Sequence, residues 1–216
     1  LDAAGLARLA ALASAATTEF ENVPAAALEF LSASARVTPA AASVAIAQDR
    51  ISEKTFLSGH GFGVAPYKVL RTSEDAASVD PALLPGIVKS ARMGYDGKGQ
   101  VRVSSAAGIG PAFARMGGVP CVLERFVDLA CEVSVIVARN ERGEAATWPV
   151  SENRHRDGIL DVSIVPARVP SDLAHEARAI ATGVAAALDY RGVLCVELFV
   201  ARDGALVVNE IAPRPH

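Results

Sequence analysis

Apolar and polar positions change period several times along the chain, and each change predicts an element. Residues 1–14 (LDAAGLARLAALAS) repeat apolar residues at helical spacing, and TTEF (17–20) reads as a strand. A second helical pattern starts near Pro24 (PAAALEFLSAS), and a second strand follows in ARVTP. Helix alternating with strand over short connections is the pattern of a parallel sheet. From Ala40, AASVAIAQDR reads as a helix. SEKTFLSGH reads as another, with Ser52 as its N-cap and glycines at its end. Beyond GFGVAPYKVL, the runs GIVKS, QVRVSS, CVLERFV, CEVSVIVAR and AATWPV alternate as strands of a largely antiparallel sheet. Residues 171–188 return to helical spacing with Asp172 near the start, and RGVLCVELFVARDGALVVNEIAP reads as two strands around a turn. The pattern predicts the end of an α/β unit followed by a mixed α+β region.

Composition narrows the function classes. With 216 residues, 51% hydrophobic and 21% charged, the chain can bury a sizeable core. The net charge of -3 and the lack of a basic, aromatic-studded strand face argue against nucleic acid and against an anionic membrane surface. No apolar run approaches the roughly 18 residues that cross a bilayer. Cys121, Cys131 and Cys195 form no CxxC pair and sit in apolar runs, as expected of reduced thiols in a cytoplasmic protein. The first residue is Leu1, inside a helical pattern, and the last residues follow directly on a strand. A fragment of a longer protein is the expectation. Arginine outnumbers lysine 17 to 4, so lysines at motif positions stand out.

Chemistry concentrates in VELFVARDGALVVNE. Asp203-Gly204 between apolar runs signals a two-residue hairpin turn. That turn places Arg202 opposite Ala205 and Glu197 opposite Glu210, with Cβ atoms about 4.5–5.5 Å apart on one face. Two carboxylates so placed repel, and a bound divalent cation resolves the conflict. The alternative is a pair of glutamates on a solvated face. Strict alternation points Asn209 to the opposite face, and only a bulge or the strand end brings it to the metal.

GYDGKGQ (94–100) is not a Walker loop, because Lys98 is followed by Gly and Gln. GHGFG (59–63) is not a dinucleotide fingerprint, because it follows a helical pattern. What remains is either an ordinary hairpin loop or a glycine-rich flap whose backbone N–H groups close over phosphates, with Lys89 just before it. Glu124 and Glu132 lie inside apolar strand runs, where a carboxylate is costly unless it is paired or faces something polar. APRPH sets Arg214 and His216 just past Glu210, an anion site beside a metal.

Taken in order, TEFENVP, QDR then EK, VK then GYDGKGQ, ERFV then CEVS, WPVSENRHRDGIL, YRGVLCVELFV and VVNEIAPRPH resemble the ATP-grasp enzymes. Among those they resemble the 5-(carboxyamino)imidazole ribonucleotide synthetase family of purine biosynthesis. The resemblance spans nearly the whole chain. It implies an ATP-grasp fold preceded by the end of a Rossmann-like pre-ATP-grasp α/β domain. Residues 1–40 would belong to that first domain and 41–216 to the ATP-grasp domain, with a small flap subdomain at about 65–120 and a larger nucleotide and Mg²⁺ subdomain at about 121–216.

The implied reaction is ATP-dependent carboxylation of 5-aminoimidazole ribonucleotide by bicarbonate, through carboxyphosphate. The resemblance implies ATP contacts at Arg50 and Lys89, a phosphate flap at Gly94, Tyr95, Asp96, Gly97, Lys98, Gly99 and Gln100, and an adenine connector at Glu124, Arg125, Phe126 and Val127. It implies a ribose contact at Glu132, a nucleotide contact at His155, and Mg²⁺ at Glu197 and Glu210, joined by Asn209. Tyr95, Asp96, Arg214 and His216 match positions near bicarbonate and the imidazole nucleotide, and Glu21 matches a further contact with that nucleotide. The family's glycine-rich GGGQL-type turn and the Asn-Ser-Gly-His continuation after PRPH are absent from these residues. A homodimer is also implied. Competing expectations are an ATP-grasp ligase of the glycinamide ribonucleotide transformylase or biotin carboxylase type, and a nucleotide-binding subunit without catalysis.

Overall fold

The computed structural model describes the chain except Glu21, residues 95–98, Asp157 and His216. Its first unit holds α1 (Ala3–Leu12), β1 (Ala15–Ala16), α2 (Ala25–Ser32) and β2 (Arg36–Val37), with β1 and β2 paired in parallel. The expected parallel pattern is present, but its first strand precedes TTEF. The Thr38 N–H donates to the Ala16 carbonyl at 3.0 Å, and by Thr18–Phe20 the chain already bends back on itself.

Next come α3 (Ala41–Ala47) and α4 (Arg50–Gly59). The helix expected through Arg50 stops at Gln48, and Ser52 is not the cap of the next one. Asp49 takes that position, its carboxylate accepting from the N–H groups of Ile51 and Ser52 at 3.0 and 3.1 Å. A negative charge at the positive end of the helix adds to what a hydroxyl offers. Starting the helix at Arg50 puts Arg50, Glu53, Lys54 and Leu57 on one face, and the last three are buried.

A four-stranded antiparallel sheet follows, built from β3 (Tyr67–Leu70), β4 (Gly86–Ser90), β5 (Gln100–Val103) and β6 (Cys121–Arg125) in the order β3-β6-β4-β5. Helices α5 (Ser73–Ala77) and α6 (Ile109–Arg115) pack on it around Leu70, Val88, Ile109, Phe113 and Leu123. Because β6 lies within this sheet, the passage to the larger unit, expected at about residue 121, comes after Arg125.

The larger sheet is antiparallel throughout. It contains β7 (Leu129–Arg139), β8 (Ala145–Thr147), β9 (Ser151–Arg156), β10 (Ile159–Ile164), β11 (Gly192–Ala201) and β12 (Leu206–Ala212), in the order β10-β9-β7-β11-β12 with β8 on β7. Period-two alternation sorts its two faces. Val133, Val135 and Val137 of β7 join Leu194, Val196 and Leu198 of β11 in a core under α7 (Ser171–Ala187). Small residues at Ala177, Ala181 and Ala185 let α7 sit close to the strands. The other face carries Glu132, Ser134, Glu197 and Glu210. No helix among the described residues is long and apolar enough to cross a membrane.

One glycine in the small sheet is fixed by crowding. A Cβ on Gly86 would meet the Leu83 and Glu124 carbonyl oxygens at 2.7 and 2.9 Å. Gly86→Ala is therefore expected to destabilise the protein by about 1–3 kcal/mol, the usual range for overpacking. Chemical denaturation measures it, and an unchanged midpoint would contradict the packing described.

Candidate active site

The hairpin of β11 and β12 reaches the expected pairing by an unexpected route. Its loop contains Arg202, Asp203 and Gly204, closed by Ala201 N–H to Ala205 O and Gly204 N–H to Ala201 O, both 2.9 Å. Gly204 takes φ +86°, where glycine is unstrained. That loop is one residue longer than the two-residue turn expected, so Leu198 faces Val208. A bulge at Asn209 then restores Glu197 opposite Glu210. The bulge also turns Asn209 onto the polar face, where its side chain hydrogen-bonds Glu197.

These carboxylates sit in a partly dry place. Burial, then the charges of Glu210 and Glu132, push the Glu197 carboxyl up to about 8. Glu210 accepts from Arg50 Nη1 at 3.0 Å. Burial alone would lower the Arg50 pKa, but Glu210, Glu53 and Glu124 outweigh it and raise it.

A second cluster lies where α4 meets the small sheet. Lys54, with no exposed surface, and Lys89 both reach Glu124 Oε2, at 3.3 and 3.2 Å. Burial opposes ionisation of Glu124, yet Lys89, Lys54 and Arg50 hold its pKa below the ordinary range. Lys89 is lowered, first by burial and then by its cationic neighbours, with Glu124 opposing. Glu124 Oε1 and Asn209 Oδ1 are buried with no hydrogen-bond partner among the described residues. Such orphaned acceptors mark places where a donor or a cation is missing.

β9 contributes the third group. His155 Nδ1 lies 2.9 Å from Glu132 Oε2, and burial raises the Glu132 pKa against the opposing charges of His155 and Lys89. Asn153 donates to Ser134 Oγ and accepts from Ser163 Oγ, each at 2.9 Å, joining β7, β9 and β10. Glu152 is held by Arg168 through its Nε and Nη2, and Arg154 adds to the pair.

The structure thus brings together Arg50, Lys89, Glu124, Glu132, His155, Glu197, Asn209 and Glu210. Gly94 lines a cleft with Arg50, Gln48, Glu53 and Glu210, and Gln100 pairs with Lys89 at the base of the loop. In the segment 124–127, the N–H groups of Arg125 and Phe126 are committed to the Pro66 and Pro85 carbonyls at 2.8 Å. Arg214 follows β12, half-buried. Tyr95, Asp96, Gly97, Lys98, Glu21 and His216 lie outside the described residues.

Glu53 and Lys54 were missed as site residues. Their signal was available: once Asp49 is the cap, two charges occupy the stripe that Leu57 marks as buried.

Among the described residues, no three His, Cys, Asp or Glu side chains gather as a ligand set. The polar face instead offers two carboxylates and the unsatisfied Asn209 oxygen. That donor set suits a hard cation whose remaining ligands are phosphate oxygens and water.

The model of the ATP-grasp domain matches residues 55–216, and that of the ribonucleotide synthetase preATP-grasp domain matches residues 1–48. The chain belongs to the ATP-grasp family. Within it, the chain is similar to N5-carboxyaminoimidazole ribonucleotide synthases. That of Brucella melitensis is 45% identical over all of this chain and 60% of its own length, and that of Bacillus subtilis 39% identical over all of this chain and 57% of its own. The ADP complex of an N5-carboxyaminoimidazole ribonucleotide synthetase superposes with a TM-score of 0.93 at 37% identity, covering 100% of this chain and 57% of that one. The Aspergillus clavatus enzyme in complex with ADP and 5-aminoimidazole ribonucleotide gives 0.91 at 27% identity, covering 100% and 57%. The chain therefore spans 57–60% of the length of the curated relatives named here.

The Glu152–Arg168 pair carries a pH signature. Hydrogen bonds from Arg168 lower the Glu152 carboxyl from 4.5 to about 2. A carboxyl lowered on folding stabilises the protein above its unfolded pKa, and that contribution is lost as pH falls through the folded value. Glu152→Gln is expected to lower the melting temperature at pH 7, with the two proteins converging as pH falls from about 4.5 to about 2. A constant difference over that window would contradict the assignment.

Proposed function

We propose that the intact protein carboxylates 5-aminoimidazole ribonucleotide with bicarbonate and ATP, yielding 5-(carboxyamino)imidazole ribonucleotide, ADP and phosphate in purine biosynthesis. The observation that carries the reading is the polar sheet face on which Glu197, Asn209 and Glu210 converge beside Arg50 and Lys89. The relatives named above supply the substrate class. Three free cysteines agree with a reducing cytoplasmic setting.

Transfer of the ATP γ-phosphoryl group to a bicarbonate oxygen breaks the bond to ADP and forms carboxyphosphate. The exocyclic amine nitrogen of the ribonucleotide then attacks the carboxyl carbon, phosphate leaves, and the nitrogen loses a proton. Both anions must be gathered, and negative charge on the leaving phosphate must be balanced. Lys89 and Arg50 supply fixed cations at the phosphates, and Glu124 holds Lys89 in place. Glu132 and His155 face the nucleotide sugar. Glu197, Glu210 and the Asn209 oxygen would hold Mg²⁺, which when bound neutralises charge on the phosphates. Arg214, with Tyr95, Asp96, His216 and Glu21, is assigned to bicarbonate and the imidazole nucleotide.

Product formation in the intact protein tests this. ADP release should rise when 5-aminoimidazole ribonucleotide is added, and the carboxylated product should require bicarbonate. Lys89→Met should lower kcat about 100-fold or more, the scale of losing a preorganised charge contact. ATP hydrolysis indifferent to the imidazole nucleotide would keep the family and overturn the substrate, pointing to another acceptor such as glycinamide ribonucleotide or biotin. No turnover with intact nucleotide binding would favour a non-catalytic subunit.

A further inference from the structure

We propose that Glu53 and Lys54 are positioning residues that clamp the β12 bulge and thereby aim Asn209 and Glu210. The proposal rests on the reading of Glu197, Asn209 and Glu210 as a metal-binding set.

β12 is the edge of the large sheet, and among the described residues its outward side pairs only through an isolated bridge between Val64 and Val208. Backbone groups on such an edge need partners when buried. Val208 solves this locally, donating to the Gly63 carbonyl at 2.8 Å. At the bulge the partners are side chains of α4. Lys54 Nζ donates to the Asn209 carbonyl oxygen at 2.7 Å, and the Ile211 N–H donates to Glu53 Oε1 at 2.6 Å. The two bonds flank Glu210, fixing the backbone on either side of it. Asn209 stays on the polar face only while the bulge persists, because regular alternation would return it to the apolar side.

The clamp is itself anchored. The Arg50 N–H donates to the Ala91 carbonyl at 2.9 Å, and Asp49, the cap of α4, pairs with Arg92. Lys54 also reaches Glu124, which holds Lys89, so one helix links the phosphate side of the site to the carboxylate side. Glu53 and Lys54 are 1% and 0% exposed. Apolar residues of similar volume often pack as stably as a buried ionic group. They could not hold two backbone groups of the bulge.

The test is Mn²⁺ binding to the intact protein with saturating ADP, followed by electron paramagnetic resonance. Glu53→Leu is expected to weaken Mn²⁺ by about 10- to 100-fold, the scale seen when a group supporting a metal ligand is lost. ADP affinity without metal should change far less than Mn²⁺ affinity. Glu53→Gln, whose amide oxygen can still accept from Ile211, should restore Mn²⁺ affinity. Unchanged Mn²⁺ affinity in Glu53→Leu, or an equal loss of metal-free ADP affinity, overturns the clamp alone. A wild-type protein that holds no Mn²⁺ with ADP overturns the clamp together with the metal-binding reading. Should Glu53→Leu not fold, amide hydrogen exchange at Ile211 decides. Slow exchange in the wild type and in Glu53→Gln supports the clamp, and fast exchange in the wild type overturns it.

Discussion

Glu197 and Glu210 face each other across an antiparallel strand pair, on the side of the sheet turned away from its core. Like charges so placed work against the pairing that brings them together. Most other features of the face are arranged around this conflict. Arg50 takes up Glu210, Asn209 bonds Glu197, and burial with the charges of Glu210 and Glu132 raises the Glu197 pKa. The opposite face of the same strands is uniformly aliphatic and packs on α7, so the register cannot slip to relieve the repulsion without exposing the core.

The cations are held by a comparable device. Lys89 and Lys54 share one carboxylate oxygen of Glu124, and the second oxygen has no partner among the described residues. A buried charge so arranged leaves capacity for a ligand while keeping the lysines in place. The glycine-rich loop leaves β4 one residue after Lys89 and Ser90, and Gln100 at its far end pairs with Lys89. Lys89 thus comes from the hairpin that carries the loop, Lys54 from α4, and Glu197 and Glu210 from the β11–β12 hairpin.

Much of this could be read from the residues, unevenly. The facing glutamates were legible because period-two alternation and the Asp-Gly turn act over short range. The route was misread: the loop holds three residues, and the bulge at Asn209 compensates for the extra one. Neither leaves a signal separable from the other in sequence. The β9–β10 hairpin was hidden because Glu152, Asn153 and His155 are held by side-chain bonds to Arg168, to Ser134 and Ser163, and to Glu132, so the strand needs no apolar face there. The charged stripe on α4 was lost to a one-turn error, since an N-cap at Ser52 leaves Arg50 outside the helix and breaks the face it shares with Glu53 and Lys54. Their partners, the Asn209 carbonyl and the Ile211 N–H, lie more than 150 residues away and could not be anticipated.

In the proposed function, a shared cation would resolve the repulsion between Glu197 and Glu210. Anomalous scattering from crystals of the intact protein grown with Mn²⁺ and ADP tests it most directly. One peak is expected at coordination distance, about 2 Å, from carboxylate oxygens of both glutamates. A peak bound elsewhere, or ADP bound with no peak between the two carboxylates, would contradict it.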